Sequence, residues 1–170
     1  MKKLLLILRN TSNTVDNIAK GLSIFYVFLS TIIVLSSVFL RMAGAAPSWT
    51  EELARWLLVC ITFVAGSVAL KRGQHIGVTA LVKVLKNKRI IKIILQVSNL
   101  LVSLFLVYAF YYNLDAAFKS SDQVGDMIPV SVVYVKLHLP LGILFMLTHL
   151  AYYIVGATIS DDPYEFMLSQ

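Results

Sequence analysis

The chain has 170 residues, of which 58% are hydrophobic and only 14% charged, with a mean hydropathy of +0.79. Soluble domains average about 25% charged residues, so this composition excludes an ordinary soluble globular domain and points to a membrane protein. The net charge of +6 invites a nucleic-acid reading. That reading needs a basic stripe on a soluble face with aromatic or groove-reading elements, and the sequence offers none.

The N-terminal segment, 1–17, pairs a short apolar run (Leu4–Leu8) with Lys2, Lys3 and Arg9. The run is too short for the core of a cleaved leader, and Asn10–Asn13 holds no small-residue cleavage site. The segment is expected to lie on the membrane surface with its cations toward headgroups. The charge-free stretch Gly21–Leu40 comes next, and about 20 apolar residues cross the hydrocarbon core as a helix. A first span is therefore expected over 18–40. Within it Ser23, Ser30 and Ser37 recur every seven residues, a small-residue face that lets helices approach closely in lipid.

The second span, expected over 49–70, begins with PSWTEELARW (Pro47–Trp56). Ser48 and Glu51 have capping-box spacing, Glu51 and Arg55 are an i,i+4 pair, and Trp49 and Trp56 suit the interfacial aromatic belt. Farther along, Ala65 and Ala69 flank Gly66 and offer a second small-residue face. Cys60 is the single cysteine, so no disulfide or cysteine-based metal site is expected within the chain.

The link after this span holds Lys71, Arg72, Lys83, Lys86, Lys88, Arg89 and Lys92 and no acid. Val78, Leu81, Val82 and Leu85 fall on one helical face, predicting an interfacial helix over 76–89. The third span is expected over 91–114, with Gln96, Asn99 and Ser103 able to bond across helices. The fourth is expected over 130–157. Pro140 lies inside it, frees the carbonyl of Lys136 and predicts a kink. Of the fifteen Lys and Arg residues, only Arg41, Arg55, Lys119 and Lys136 fall outside the N-terminal segment, the start of span 1 and the basic link. The positive-inside rule then puts both termini in the cytoplasm. The expected fold is a single all-α integral membrane domain, 1–170, with four transmembrane helices and interfacial amphipathic helices.

Glu51, Glu52, Arg55, Asp115 and Lys136 are expected at one outer level. Glu52 points about 100° away from Glu51 on a helix, so it is expected to pair with Lys136 or with a basic residue of another subunit. No Asp, Glu, Lys or Arg falls in the middle of any span. Proton relays and many ion pathways need such residues, and four short spans show neither repeats nor broken midplane helices. The chain is thus not expected to transport by itself. His138 and His149 share a helical face, but His75 is the third and last histidine, which makes paired haem ligands scarce. Interhelical hydrogen bonds suit them better. No catalytic or metal-binding motif is present, and the chain is not expected to be an enzyme.

WTEELARW at the start of span 2, GSVALKRGQHIGV (Gly66–Val78) at its exit and IPVSVVYVKLHLPLGILFML (Ile128–Leu147) in span 4 resemble the small membrane subunit of tripartite ATP-independent periplasmic (TRAP) transporters. The resemblance runs over essentially the whole chain. It implies Na+-coupled uptake of organic acids, of C4-dicarboxylate or sialic-acid type, across the bacterial inner membrane. It further implies a periplasmic substrate-binding protein and a large permease subunit that holds the substrate and Na+ sites and moves as an elevator. This chain would be the static scaffold and bind no cofactor. On that view Trp49, Glu51, Glu52, Arg55 and Lys136 serve the subunit interface or partner docking at the outer side, and Arg72 and His75 at the cytoplasmic end. Ser23, Ser30, Ser37, Ala65, Gly66, Ala69 and Pro140 shape helix packing, and membrane phospholipid is a further partner. The acidic tail after Asp161 suggests a subunit separate from the permease. The competing expectation is a respiratory-complex membrane anchor holding haem or quinone. A third, a lone lipid-sensing membrane protein, leaves the polar residues of the spans unexplained.

Overall fold

The structure is a computed structural model that describes residues 2–45, 47–72 and 88–159. In hydrocarbon each backbone N–H and C=O must be satisfied within its own segment, which favours long helices. The described residues form five, in order: α1 (Lys2–Met42), α2 (Ser48–Lys71), α3 (Lys88–Phe118), the single turn α4 (Val133–Lys136) and α5 (His138–Ile159). Four of the described stretches are long and apolar enough to cross a membrane, with α4 and α5 counting as one. Among the described residues there is no strand, only an isolated bridge between Val124 and Ser131.

The helices α2 and α5 form the middle of the bundle. Helix α1 packs on both, while α3 packs along α5 and α4 and pairs with neither α1 nor α2. Leu70, Leu106, Ile143 and Leu150 form the buried apolar cluster, flanked by Phe63, Val102, Met146 and Leu147. Large apolar side chains cover the outside, among them Ile24, Phe28, Phe105 and Tyr111. In water such a surface would aggregate; in a bilayer it meets lipid tails.

Helix α1 runs without a break from the segment expected at the interface into span 1. Its buried residues Ser12, Asp16, Ala19 and Ile33 lie on the same stripe as Ser23, Ser30 and Ser37, alternating three and four residues apart. The hydroxyls of Ser37 and of Thr50 in α2 share a hydrogen bond at 3.0 Å, whereas Ser23 turns back to the Ala19 carbonyl of its own helix at 2.7 Å. The expected kink at Pro140 takes the form of a helix restart. The chain turns at Leu137, and the buried Pro140 sits in the first turn of α5, where a missing N–H costs little. His75 and the interfacial helix expected over 76–89 lie outside the described residues, apart from the start of α3.

The α2–α5 crossing depends on glycine. A Cβ on Gly142 would stand 2.5 Å from the Phe63 carbonyl oxygen, and one on Gly66 would stand 2.9 Å from Met146 Cε. The first obstacle is backbone and cannot swing aside, while the second is the end of a flexible side chain. Gly142→Ala is therefore expected to cost about 1–3 kcal/mol by overpacking, and Gly66→Ala clearly less. Thermal unfolding of the two variants in detergent checks the order.

Candidate functional site

Among the described residues, two polar clusters stand at opposite ends of the bundle. The first joins the start of α2 to the loop between α3 and α4. Glu52 lies on the inward face of α2 and is 5% exposed. Its carboxylate accepts three successive backbone N–H groups, from Asp126 at 2.9 Å, Met127 at 2.8 Å and Ile128 at 2.9 Å. The loop is folded back on itself to present them. Gly125 N–H donates to the Val130 carbonyl at 3.1 Å, and Val132 N–H to that of Gln123 at 2.9 Å. Ser131 Oγ adds a bond to the Ser121 carbonyl at 2.8 Å. A Cβ on Gly125 would come within 2.7 Å of Glu52 Oε1, the Ile128 carbonyl and the Trp56 ring, so only glycine lets the loop close down on α2.

This geometry corrects three expectations. Glu52 pairs with backbone amides and not with Lys136, whose ammonium reaches Gln123 Oε1 at 3.3 Å. Three N–H groups converging on one carboxylate satisfy it more completely than one mobile lysine could. Glu51 pairs with Arg41 at the end of α1 (2.5 Å) and not with Arg55, because the short α1–α2 turn brings that guanidinium to its exposed side. Ser48 forms no capping box. Pro47 occupies the cap position, and the hydroxyl of Thr50 donates to its carbonyl at 2.8 Å. Asp115, expected in the same layer, pairs with Lys119 one turn on, at 2.7 Å. Trp49 is exposed, and Arg55 is exposed with the Glu52 charge as an electrostatic partner.

The second cluster lies at the other end, where sequence reasoning placed only Arg72 and His75. Lys71, the last residue of α2, is buried against α1. Its ammonium reaches Asp16 Oδ2 at 3.1 Å and Asn13 Oδ1 at 2.8 Å. Lys20 joins the same Asp16 oxygen at 2.5 Å from the half-exposed side. One turn away Ser12 Oγ meets His149 Nδ1 of α5 at 2.8 Å, and the Tyr153 hydroxyl donates to the Lys71 carbonyl. Asp16 Oδ1 and His149 Nε2 are buried without a hydrogen-bond partner. The cluster ties α1, α2 and α5 together beside Leu70 and Leu150 of the buried apolar cluster. One signal could have found it: Asp16 is the only acidic residue before Glu51, set in an otherwise uncharged run of polar residues.

Between the clusters the spans carry few polar side chains. His138 Nε2 meets the Tyr26 hydroxyl at 2.7 Å, an interhelical bond like that of His149 with Ser12. Gln96 of α3 donates to the Ile154 carbonyl and Thr158 Oγ1 of α5 at 3.2 and 2.8 Å. Ala65 and Ala69 line an open groove against α1, whereas Gly66 faces α5. Among the described residues no group of three or more His, Cys, Asp or Glu side chains could hold a metal ion.

The described residues thus form a bundle with a polar cluster at each end and no Asp, Glu, Lys or Arg in the middle of its spans. Residues 30–158 match the family described as tripartite ATP-independent periplasmic transporters, DctQ component, and the chain belongs to that family. It is also similar to a curated relative, the ectoine TRAP transporter small permease protein TeaB of Halomonas elongata. The two are 28% identical over 147 residues, which cover 82% of this chain and 74% of the relative.

Proposed function

We propose that this chain is the fixed scaffold subunit of a Na+-coupled TRAP transporter, joined to a large permease subunit and served by a periplasmic substrate-binding protein. The observation that supports it best is the distribution of charge. No Asp, Glu, Lys or Arg lies between Lys20 and Arg41, between Arg55 and Lys71, between Lys92 and Asp115, or between Lys136 and the end of α5. Proton relays and many ion pathways use charged side chains at that depth, which supports reading the solute and Na+ sites as the partner's. The Glu52 end is read as periplasmic and the Lys71 end as cytoplasmic, in the inner membrane, because the basic residues gather at the latter. The clasped loop with Trp49 then forms the surface nearest the binding protein, and Arg72 and His75 stand at the cytoplasmic side of the subunit interface.

The solute is read as a small organic acid. C4-dicarboxylates and sialic acids remain candidates, and the relative named for ectoine adds that compound to the set worth testing. Family membership argues against the respiratory-anchor alternative, and both histidines of α5 already spend one ring nitrogen on Tyr26 or Ser12. Pull-down of the chain from native membranes in mild detergent, with mass spectrometry of the co-purifying proteins, tests the reading. A many-span permease is expected. Flavin and iron–sulfur subunits in its place would overturn it.

A further inference from the structure

Two cavities open along the seam between α1 and α2. One, of about 410 Å³, is lined by Val34, Ser37, Arg41, Thr50, Glu51 and Ala54. The other, of about 330 Å³, is lined by Lys20, Ser23, Ile24, Ala65, Ala69 and Arg72. Both lie on one face of each helix. Lys20 and Val38 are five turns apart on α1, as are Ala54 and Arg72 on α2, so the two cavities open on the same side of the seam, one toward each end. Eighteen residues of helix span about 27 Å, close to the roughly 30 Å of the hydrocarbon core. The charged rims thus fall at the two headgroup levels.

The two rims differ in charge. At the first, Arg41 is neutralised by Glu51 at 2.5 Å. At the second, among the described residues, Lys20 and Arg72 line the cavity and Lys71 is buried next to it, with Asp16 as the carboxylate that takes Lys71 and Lys20. That leaves a local excess of two positive charges. Lys20 keeps two of its three donors beyond the Asp16 bond, and its side chain is 39% exposed. Arg72 is exposed at the same rim. Behind the two cations the wall is small and apolar, wide enough for an acyl chain because Ala65 and Ala69 stop short of α1.

We propose that the groove at the Lys20–Arg72 end binds one anionic phospholipid, its phosphate on Lys20 and Arg72 and one acyl chain along Ala65, Ala69 and Ile24. Such basic pockets between membrane helices suit anionic headgroups, and the neutral Arg41–Glu51 end has no preference for them. Lipid held there would fill the seam that the helices leave open, wedging α1 against α2 beside the buried Asp16–Lys71 pair.

The test is native mass spectrometry of the full chain, delipidated in detergent and titrated with phosphatidylglycerol or with phosphatidylcholine of the same acyl chains. Phosphatidylglycerol is expected to be retained several-fold better than phosphatidylcholine. Arg72→Gln should weaken its retention about five-fold, and Arg41→Gln should leave it unchanged. Ala69→Leu keeps the charges and fills the groove, and should also displace the lipid. Equal retention of the two lipids would overturn the proposal, and so would an Arg41→Gln effect as large as that of Arg72→Gln. Unchanged binding in Ala69→Leu, or displacement of the lipid by millimolar inorganic phosphate, would overturn it as well.

Discussion

Glu52→Gln is expected to lower the thermal midpoint of the detergent-solubilised protein by about 5 °C or more, although it removes only a charge and keeps the shape. The carboxylate accepts the amides of Asp126, Met127 and Ile128 with both oxygens. Glutamine offers one acceptor oxygen, and its amide nitrogen is a donor that faces other donors. One or two partly buried N–H groups are then left without a partner, and their lost solvation is the cost. The loop should loosen from α2, with Gly125 losing its close seat against Trp56. Glu51→Gln is the control. Glu51 makes a surface pair with Arg41 in which both side chains are about 60% exposed, and exposed pairs contribute little, so the midpoint should stay within about 1 °C of the parent. If the two variants melt together, the clasp does not hold the loop.

The second large effect is expected at the opposite end. Asp16→Leu leaves Lys71 buried beside Asn13 with no counter-charge, and breaking a buried pair from one side costs about 3–5 kcal/mol. Lys71→Met does the converse and leaves Asp16 with Lys20 alone, so its cost should be smaller. The double variant is the informative one. Replacing both charges by apolar groups of similar bulk removes the desolvation penalty along with the attraction. It should therefore recover more than half of the stability lost in Asp16→Leu. A double variant at least as unstable as the sum of the singles would mean that Asp16 and Lys71 act on separate partners. Denaturation monitored by tryptophan fluorescence measures all three, since Trp49 and Trp56 lie at the far end of α2 and report on the whole bundle.

The four spans were legible because the bilayer imposes them: length and freedom from charge leave a helix as the natural spanning form. The seven-residue recurrence of Ser23, Ser30 and Ser37 was visible as a periodicity, and it falls on the stripe of α1 that carries the buried Ser12, Asp16, Ala19 and Ile33. Side-chain partners were not legible. Glu51 looked committed to Arg55 because i,i+4 spacing is visible in a sequence, whereas the approach of Arg41 depends on how the end of α1 packs against the start of α2. Glu52 looked short of a cation because side-chain charges can be counted and backbone amides cannot. The three N–H groups of a folded-back loop become an anion site only once Gly125 has allowed the loop to close. The Asp16–Lys71 cluster was hidden more deeply. Its members lie 55 residues apart, and Lys71 read as one cation among many in a basic link. The solitary acid at Asp16 was the clue, since an isolated charge on a helix face that packs inward needs a partner.

If this bundle supports a transporter without handling ions itself, the Asp16–Lys71–His149 cluster is the place where that role is most open to challenge. The deciding measurement is the Na+ dependence of solute uptake by the reconstituted complex in proteoliposomes, comparing the parent with Asp16→Leu/Lys71→Met. A scaffold role predicts that the double variant lowers at most the amount of assembled complex, with the Na+ concentration for half-maximal uptake and the steepness of the response unchanged. A several-fold shift in that concentration, or a loss of Na+ dependence, would contradict it and make the cluster part of the coupling machinery.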